Sequence, residues 1–459
     1  MGKKQIIIIG AGITGLTLAK ELSAQYGASV VLIEKEHYVG GLAATLSRDG
    51  LTFDLGSHRI HPDYPFFIFD YLKGLDVELL RRPRFGTVQI QGKFIRYPAN
   101  IFDFMRVMSL THSFRLFSGY ALNCLKRHPA AVNTYEEAML KTVGREIYAT
   151  FYMDFAKKLW GIDPSLIAVE GMKRRNVTVN LKTIKKALKG QNDYFFYPKH
   201  GMGDIAQKLK QAVLKNHAAV LEGCLLKKVV MDGKNRVAGV LVQGSDDQEN
   251  LMEASVVVST IPIDSLHQMV YGNDPAESLD WRGLLLVYLH IQEPLDRGND
   301  TFYFPEMTTK LGRVSDNSKF SPYLNPSLKG VLLTVEIPAS PGETLWEMSE
   351  AELAGLCAEE LVKTGIYKAR PTILRHFSVR LEKAYPLYSL GWERKLAAIY
   401  DHLKGVNGLY TLGRRGLFLH SNIDHAILQG IELSKIIMEG RHAEWDQKIN
   451  TFREFTARD

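Results

Sequence analysis

Four consecutive apolar residues, Ile6 to Ile9, run directly into Gly10-Ala-Gly12-Ile-Thr-Gly15. A segment of small residues with helical character follows. A second apolar run, Ser29 to Ile33, then ends on Glu34. Short unbroken apolar runs read as strands buried on both faces, so the chain is predicted to open with a strand–turn–helix–strand unit. In the turn, Gly10 permits the sharp reversal, Gly12 lets backbone approach a diphosphate, and Gly15 lets the helix pack close to the sheet. The helix start at Ile13 and Thr14 offers N–H groups and the positive end of the helix dipole. Glu34 stands where a carboxylate can accept both hydroxyls of an adenosine ribose.

Further along, Ala44–Ser47 and Leu51–Asp54 flank Asp49-Gly50, a hairpin signal. A helix is predicted from Tyr64 to Lys73, and strands over Phe85–Ile90 and Phe94–Tyr97. From Ile101 the period turns helical, with Phe102, Phe104, Met105 and Met108 on one spacing, then Phe114–Lys126 and Tyr135–Trp160. Alternation returns at Leu225–Met231 and Val237–Gln243, followed by a buried run at Val256–Thr260. Strands are predicted over Leu284–Ile291, Thr301–Phe304, Lys310–Val314 and Val331–Ile337, and a helix from Ser349 to Lys363. The strand Leu409–Leu412 leads through Gly413-Arg414-Arg415-Gly416 to a last helix, Ile423–Glu439. No internal repeat is evident. The fold class expected is α/β: a Rossmann-like cofactor domain (1–75, 195–265 and 405–440) interleaved with a mixed-sheet plus helical substrate or cap domain (76–194 and 266–404). Apolar positions at 101–127, with Arg106, Arg115, Lys126 and Arg127, are read as a helical cap whose apolar face packs on the substrate domain rather than on a membrane.

Length, 459 residues, allows about two or three domains. The net charge of +7 suits a phosphorylated or acidic small molecule, and no basic run interleaved with aromatics points to nucleic acid. Cys124, Cys224 and Cys357 are far apart and without C-x-x-C spacing, which argues against disulfides and a zinc site and fits a reducing, cytoplasmic setting. No metal site and no membrane-spanning helix are expected, and the start of the chain is already used by strand and turn rather than by a signal peptide. A homodimer is compatible with all of this.

Two features favour FAD over a nicotinamide. Gly40-Gly41-Leu42 follows closely on Glu34 and Lys35, where the chain of a flavin enzyme turns back beneath the diphosphate and ribityl. Near the end of the chain, Gly413 precedes a second helix start, where negative charge develops on a reduced flavin. With Phe53-Asp-Leu-Gly56-Ser57-His58-Arg59, Lys158-Leu-Trp160-Gly161, Tyr197-Pro-Lys-His-Gly-Met-Gly203, Ala384-Tyr385-Pro386 and Asn422-Ile423-Asp424, these segments resemble the flavin-dependent amine oxidase/protoporphyrinogen oxidase superfamily, including UDP-galactopyranose mutase-like proteins. The resemblance covers nearly the whole chain. It implies non-covalent FAD, with Val229 beside the adenine, Gly56, Ser57 and His58 at the isoalloxazine ring, and Asn422 and Ile423 at the last helix start. A second Gly-x-Gly, Gly201-Met-Gly203-Asp-Ile-Ala206 with Glu222 beyond it, is read as a plain turn, because Tyr197-Pro-Lys-His makes a poor buried strand.

The resemblance leaves two chemistries. In the first, an oxidoreductase passes a substrate hydride to flavin N5, with His58 and Tyr385 near the reacting atoms. In the alternative, a non-redox nucleotide-sugar mutase interconverts pyranose and furanose, with Arg59, Arg313, Arg380 and Arg414 available for a diphosphate. Trp160, Tyr303 and Phe418 complete the expected substrate wall. Phe418, His420 and Ser421 stand where the mutase pattern has tyrosines, which removes phenol hydrogen bonds to the diphosphate.

Overall fold

The computed structural model describes residues 5–97, 108–126, 131–173, 194–272, 278–295 and 298–455. The chain divides into two units, one of Met1–Leu79, Pro198–Leu279 and Gly391–Asp459, the other of Leu80–Tyr197 and Asp280–Leu390. The class is α/β, as expected.

At the centre of the first unit is a parallel five-stranded sheet. Its order is Leu409–Thr411, Val256–Ser259, Ile6–Ile9, Val30–Ile33 and Ala219–Leu221. Ile6 pairs with Val30 on one side and Val256 on the other, and the three inner strands are buried on both faces. Helices Ile13–Tyr26, Gly203–Lys215 and Ile423–Glu439 lie in this unit. The first and last meet so closely that a Cβ on Gly430 would stand 2.9 Å from Thr17 Cβ. A three-stranded antiparallel sheet, Leu225–Met231, Val237–Gln243 and Glu249–Glu253, and the hairpin Thr45–Arg48/Leu51–Asp54 complete the unit. The hairpin turn has positive φ at both Asp49 and Gly50, the geometry that suits the strand twist.

The second unit is built on a seven-stranded mixed sheet, in the order Ile373–Pro386, Trp281–Ile291, Val331–Ile337, Arg313–Asp316, Thr301–Tyr303, Gly86–Ile90 and Lys93–Tyr97. One face is apolar. Leu285, Val287, Leu289, Val314, Leu333 and Val335 pack there with Leu353, Ala354, Cys357 and Leu361 of the helix Glu350–Lys363. Ser349 caps that helix, with Glu352 returning the hydrogen bond. A helical layer, Tyr135–Val143 through Met153–Trp160, has its own core around Met139, Tyr148 and Trp160.

Two departures from the sequence reading have clear causes. The strand Ile373–Pro386 gives no alternating signal: it is an edge strand, and the exposed run Leu374, Arg375 and His376 breaks the alternation. The run before the second Gly-x-Gly is a strand after all, Tyr194–Pro198, and within the second unit Phe195 and Tyr197 are buried with their rings 5.4 Å from that of Phe320. The cap reading of 101–127 holds in part in its described residues. Met108 and Leu116 pack on Val88, Ile90 and Ile95 of the seven-stranded sheet, while Phe114, Phe117, Leu122 and Leu125 of helix Leu110–Leu125 stay exposed. Phe102, Phe104, Met105, Arg106 and Arg127 lie outside the described residues.

Candidate functional site

In the first unit the three glycines of the opening turn do three different things. Gly10 has φ +97, and a Cβ there would strike Thr260 Oγ1. A Cβ on Gly15 would sit on the Gly10 carbonyl oxygen, so helix and turn touch backbone to backbone. A Cβ on Gly12 would meet nothing within 4 Å. Protein packing thus requires glycine at positions 10 and 15, while the one at 12 faces open space. Gly12 is also the N-cap of helix Ile13–Tyr26, which has neither a side-chain cap nor an acidic residue in its first turn. A helix start without a protein anion, beside open space, fits the diphosphate of a dinucleotide.

Glu34 closes this cradle. One carboxylate oxygen accepts the Ala11 N–H at 2.7 Å and the other the Glu36 N–H at 3.1 Å. Burial raises its pKa, opposed by those two N–H groups. Each oxygen keeps acceptor capacity for a ligand hydroxyl. The second glycine pair lies alongside: Gly40 donates to the Ala11 carbonyl at 2.7 Å and bridges Gly12, and a Cβ on Gly41 (φ +56) would come within 3.2 Å of Gly12 Cα. Gly413, at φ +83, would place a Cβ 3.3 Å from Thr14 Oγ1, and its N–H donates to the buried Gln429 side chain at 2.9 Å. Gly10, Gly12, Ile13, Thr14, Gly15, Glu34, Gly40, Gly41 and Gly413 therefore converge. Leu42 joins them through His58, whose Nε2 lies 2.9 Å from the Leu42 carbonyl and 3.0 Å from that of Leu55. Between two carbonyls that nitrogen carries the proton. Gly56 turns at φ +93 just before Ser57 and His58, with Arg59 half-buried beyond them.

The other expected residues of this unit make the following protein contacts. Lys35 is exposed and pairs with Glu36 at 3.2 Å. Val229 is buried in the three-stranded sheet opposite Val240. Arg414 donates to the Ser421 carbonyl at 3.2 Å, just before Asn422 caps the helix that begins at Ile423. Phe418 is wholly buried at φ +52, its ring 6.0 Å from that of Trp392, which makes it a packing residue rather than a wall for substrate.

The second Gly-x-Gly turn is occupied by protein. Asp54 accepts the Met202 N–H at 3.0 and 3.2 Å, and Thr45 Oγ1 accepts that of Gly203 at 2.7 Å. A Cβ on Gly203 would stand 2.4 Å from Thr45 N, and Glu222 pairs with Lys210 at 2.5 Å. No room for a second nucleotide remains at this turn.

In the second unit, the sheet face opposite the apolar core carries Tyr97, Thr301, Tyr303, Arg313, Ser315 and Glu336. Tyr303 pairs across strands with Arg313, and Arg313 with Glu336. Arg313 uses Nη2 for both contacts to the buried Glu336 carboxylate, at 2.7 and 2.8 Å. Burial works to lower the pKa of this guanidinium, but Glu336 outweighs it and raises it. The rings of Tyr97 and Tyr303 are 4.7 Å apart, with the Arg84 guanidinium 5.4 Å from Tyr97. Arg380 donates to the carbonyls of Trp346, at 2.9 Å, and Met348, closing the end of helix Thr344–Glu347. Trp160 is a core residue at the end of its helix. Tyr385 pairs with Arg282 in the sheet and packs on that same core.

Several residues were given no role by the sequence reading. Arg282 is buried, donating to the carbonyls of Leu159 and Pro338 and to Glu343, and Gly161 (φ +73) leaves room for its guanidinium. Burial lowers the Arg415 pKa while Glu34, Tyr38 and Glu36 pull it back up, so this cation stands near the Glu34 carboxylate. Lys158 is buried, donates to the carbonyls of Phe304 and Leu311, and has its pKa pushed down to about 8 by desolvation. Among the described residues there is no cluster of three or more metal-ligating side chains, and no helix is long and apolar enough to cross a membrane.

The model of a family described as flavin containing amine oxidoreductase matches residues 13–436. A Klebsiella pneumoniae protein described as a UDP-galactopyranose mutase is 22% identical over 330 residues, 68% of this chain and 77% of that protein. Chloroplastic protoporphyrinogen oxidase of Nicotiana tabacum is 27% identical over 170 residues, which are 36% of this chain and 30% of that enzyme. Among solved structures, reduced UDP-galactopyranose mutase superposes with a TM-score of 0.80 at 22% identity, over 95% of this chain and 96% of its own. Putrescine oxidase bound to putrescine does so with a TM-score of 0.65 at 17% identity, over 95% and 99%. At these identities the structural likeness establishes the fold and leaves the reaction open.

Proposed function

The chain belongs to the family of flavin-containing amine oxidoreductases, and from that premise we propose that it binds FAD non-covalently in the cradle of the first unit and oxidises a small polar substrate by hydride transfer. The start of helix Ile13–Tyr26 and Gly12 receive the diphosphate, Glu34 takes the ribose hydroxyls, and Gly40-Gly41 and Gly413 leave space for the extended cofactor. Bound FAD supplies a hydride acceptor. His58 is held by two carbonyls, so its role is to fix the loop at the flavin. Tyr303 and Tyr97 are the proposed substrate-facing groups of the second unit.

The observation that carries this reading is the state of the arginines. Arg313 is tied to Glu336, Arg380 to two carbonyls and Arg414 to the Ser421 carbonyl, while Phe418 is core. A grip on a substrate diphosphate needs cations held ready for it, and three of the four candidates already serve protein acceptors. The second reading, a non-redox nucleotide-sugar mutase, is favoured by the breadth of the likeness to UDP-galactopyranose mutases. One experiment separates them. The oxidised yellow protein should bleach anaerobically on addition of an amine or alcohol substrate. Isomerisation of a UDP- or dTDP-hexose by the dithionite-reduced protein, with no net electron transfer, would overturn the redox reading.

A further inference from the structure

Three arginines precede strand Gly86–Ile90 in the run Arg81-Arg82-Pro83-Arg84, and the second unit treats them differently. Arg81 is exposed, its guanidinium 4.0 Å from the Tyr194 ring. Arg82 donates from Nε to the Lys319 carbonyl at 2.9 Å. Arg84 is half-buried and its Nε is shielded from solvent. No described residue accepts a hydrogen bond from that nitrogen or offers the guanidinium a carboxylate. Asp300 is committed elsewhere: it is buried and accepts the N–H of Phe85, the next residue, at 2.7 Å. Holding a guanidinium partly out of water without an anion is unfavourable. The Tyr97 ring, 5.4 Å from the guanidinium carbon, offsets only part of that cost.

The same Tyr97 ring lies 4.7 Å from that of Tyr303, which pairs across strands with Arg313. Arg84 thus stands at the polar face of the seven-stranded sheet, beside the two tyrosines proposed to face substrate. Arg313 on that face is neutralised by Glu336 at 2.7 Å. That cation has its anion within the protein, and Arg84 does not. A diphosphate needs several such cations at once. A single guanidinium with its outer amino groups available is a planar fork, and a carboxylate matches it with two parallel hydrogen bonds. We propose that Arg84 determines specificity by binding a carboxylate on the substrate, at the end remote from the C–H bond that is oxidised. This rests on the reading of the Tyr97 and Tyr303 face as the substrate wall.

The test is isothermal titration calorimetry of the full chain, as the FAD-loaded protein, with benzoate and with benzamide, which has the same ring and shape without the charge. Benzoate should bind at least about tenfold more tightly. Arg84→Gln should abolish that preference and leave the benzamide affinity at the parent's value. Arg84→Lys keeps the charge but not the fork, so it should restore only part of the preference. A packing role for Arg84 would move both probes together. In turnover, an aliphatic amine and the same amine with a terminal carboxylate should differ in KM rather than kcat, and the difference should vanish in Arg84→Gln. Equal binding of the two probes by the parent, binding of neither, or a benzoate preference that survives in Arg84→Gln would overturn the proposal. Arg84-dependent benzoate binding in a protein that no amine or alcohol bleaches would leave Arg84 in its role and remove the redox reading instead.

Discussion

The carboxylate of Asp54 accepts the backbone N–H of Met202 with both oxygens, at 3.0 and 3.2 Å, across 148 residues of chain. It thereby supplies from within the protein the negative charge that a helix start attracts. The chain has two Gly-x-Gly turns of similar spelling, each with a carboxylate on the N–H between its glycines, Glu34 on Ala11 and Asp54 on Met202. They differ at the second glycine: Thr45 Oγ1 accepts the Gly203 N–H, whereas the helix start at Gly12 has no side-chain cap and a Cβ there would meet nothing within 4 Å. Asp54→Ala should therefore cost stability, about 1 to 3 kcal/mol for a buried charged acceptor lost from N–H donors, while FAD stoichiometry is preserved. Thermal melting together with the flavin absorbance of the purified protein reads both. Loss of the cofactor with unchanged melting of the apoprotein would contradict this division of labour.

The glycines at 12 and 15 should fail differently when substituted. Gly12→Val places its side chain in open space, so the apoprotein should keep its circular dichroism yet emerge colourless, with FAD occupancy below about a tenth, because the diphosphate is excluded. Gly15→Ala drives a methyl into the Gly10 carbonyl and should lower the stability of the apoprotein itself by about 1 to 3 kcal/mol. A yellow Gly12→Val protein with full occupancy would remove the cradle from the first turn.

Elements with a sustained period were legible in the sequence to the residue. Strands Leu225–Met231, Val237–Gln243 and Val331–Ile337 and helix Ile423–Glu439 stand where alternation or helical spacing placed them. The edge strand Ile373–Pro386 was not legible, because one open side lets charged residues break the pattern. In the candidate site the local glycine turns were readable, whereas their distant partners were not. Nothing around Asp54 announces a helix start 148 residues on, and nothing at Gly161 announces the Arg282 guanidinium. Phe418 shows the reverse: a family position suggested a substrate wall, and a left-handed turn buries the ring beside Trp392.

Glu34 should impose a pH dependence on the apoprotein. Its folded pKa is raised, mainly by burial. The folded state then binds the proton more readily than the unfolded state, so this group favours folding below the ordinary carboxylate range and the benefit is lost as pH rises through the folded value. The stability difference between wild type and Glu34→Gln should shift against the wild type across that rise. FAD affinity should fall in the variant, because a ribose acceptor is lost. Denaturant titrations of the apoproteins from pH 4 to about pH 8, with flavin titration at neutral pH, provide the check. Parallel stability curves together with unchanged affinity would remove Glu34 from both roles.

Lys158 makes the complementary case at high pH. Desolvation pushes its pKa down to about 8 from the ordinary 10.5 of a lysine, against the pull of Glu360, Asp154 and Glu306, while Nζ donates to the carbonyls of Phe304 and Leu311. Below about pH 8 the ammonium is charged in both folded and unfolded chains, and the folded protein bears the full cost of burying it. Between about 8 and 10.5 the unfolded chain holds the proton that the folded protein has released, so stability attributable to this group rises with pH. Lys158→Met removes the titrating group but leaves two carbonyls without their donor, so the variant should be less stable than wild type at pH 10. The gap should narrow by about 3 kcal/mol on going down to pH 7. Urea unfolding at the two pH values measures it. A gap that is constant, or that widens toward pH 7, would show that the amine keeps its ordinary affinity for the proton despite its burial.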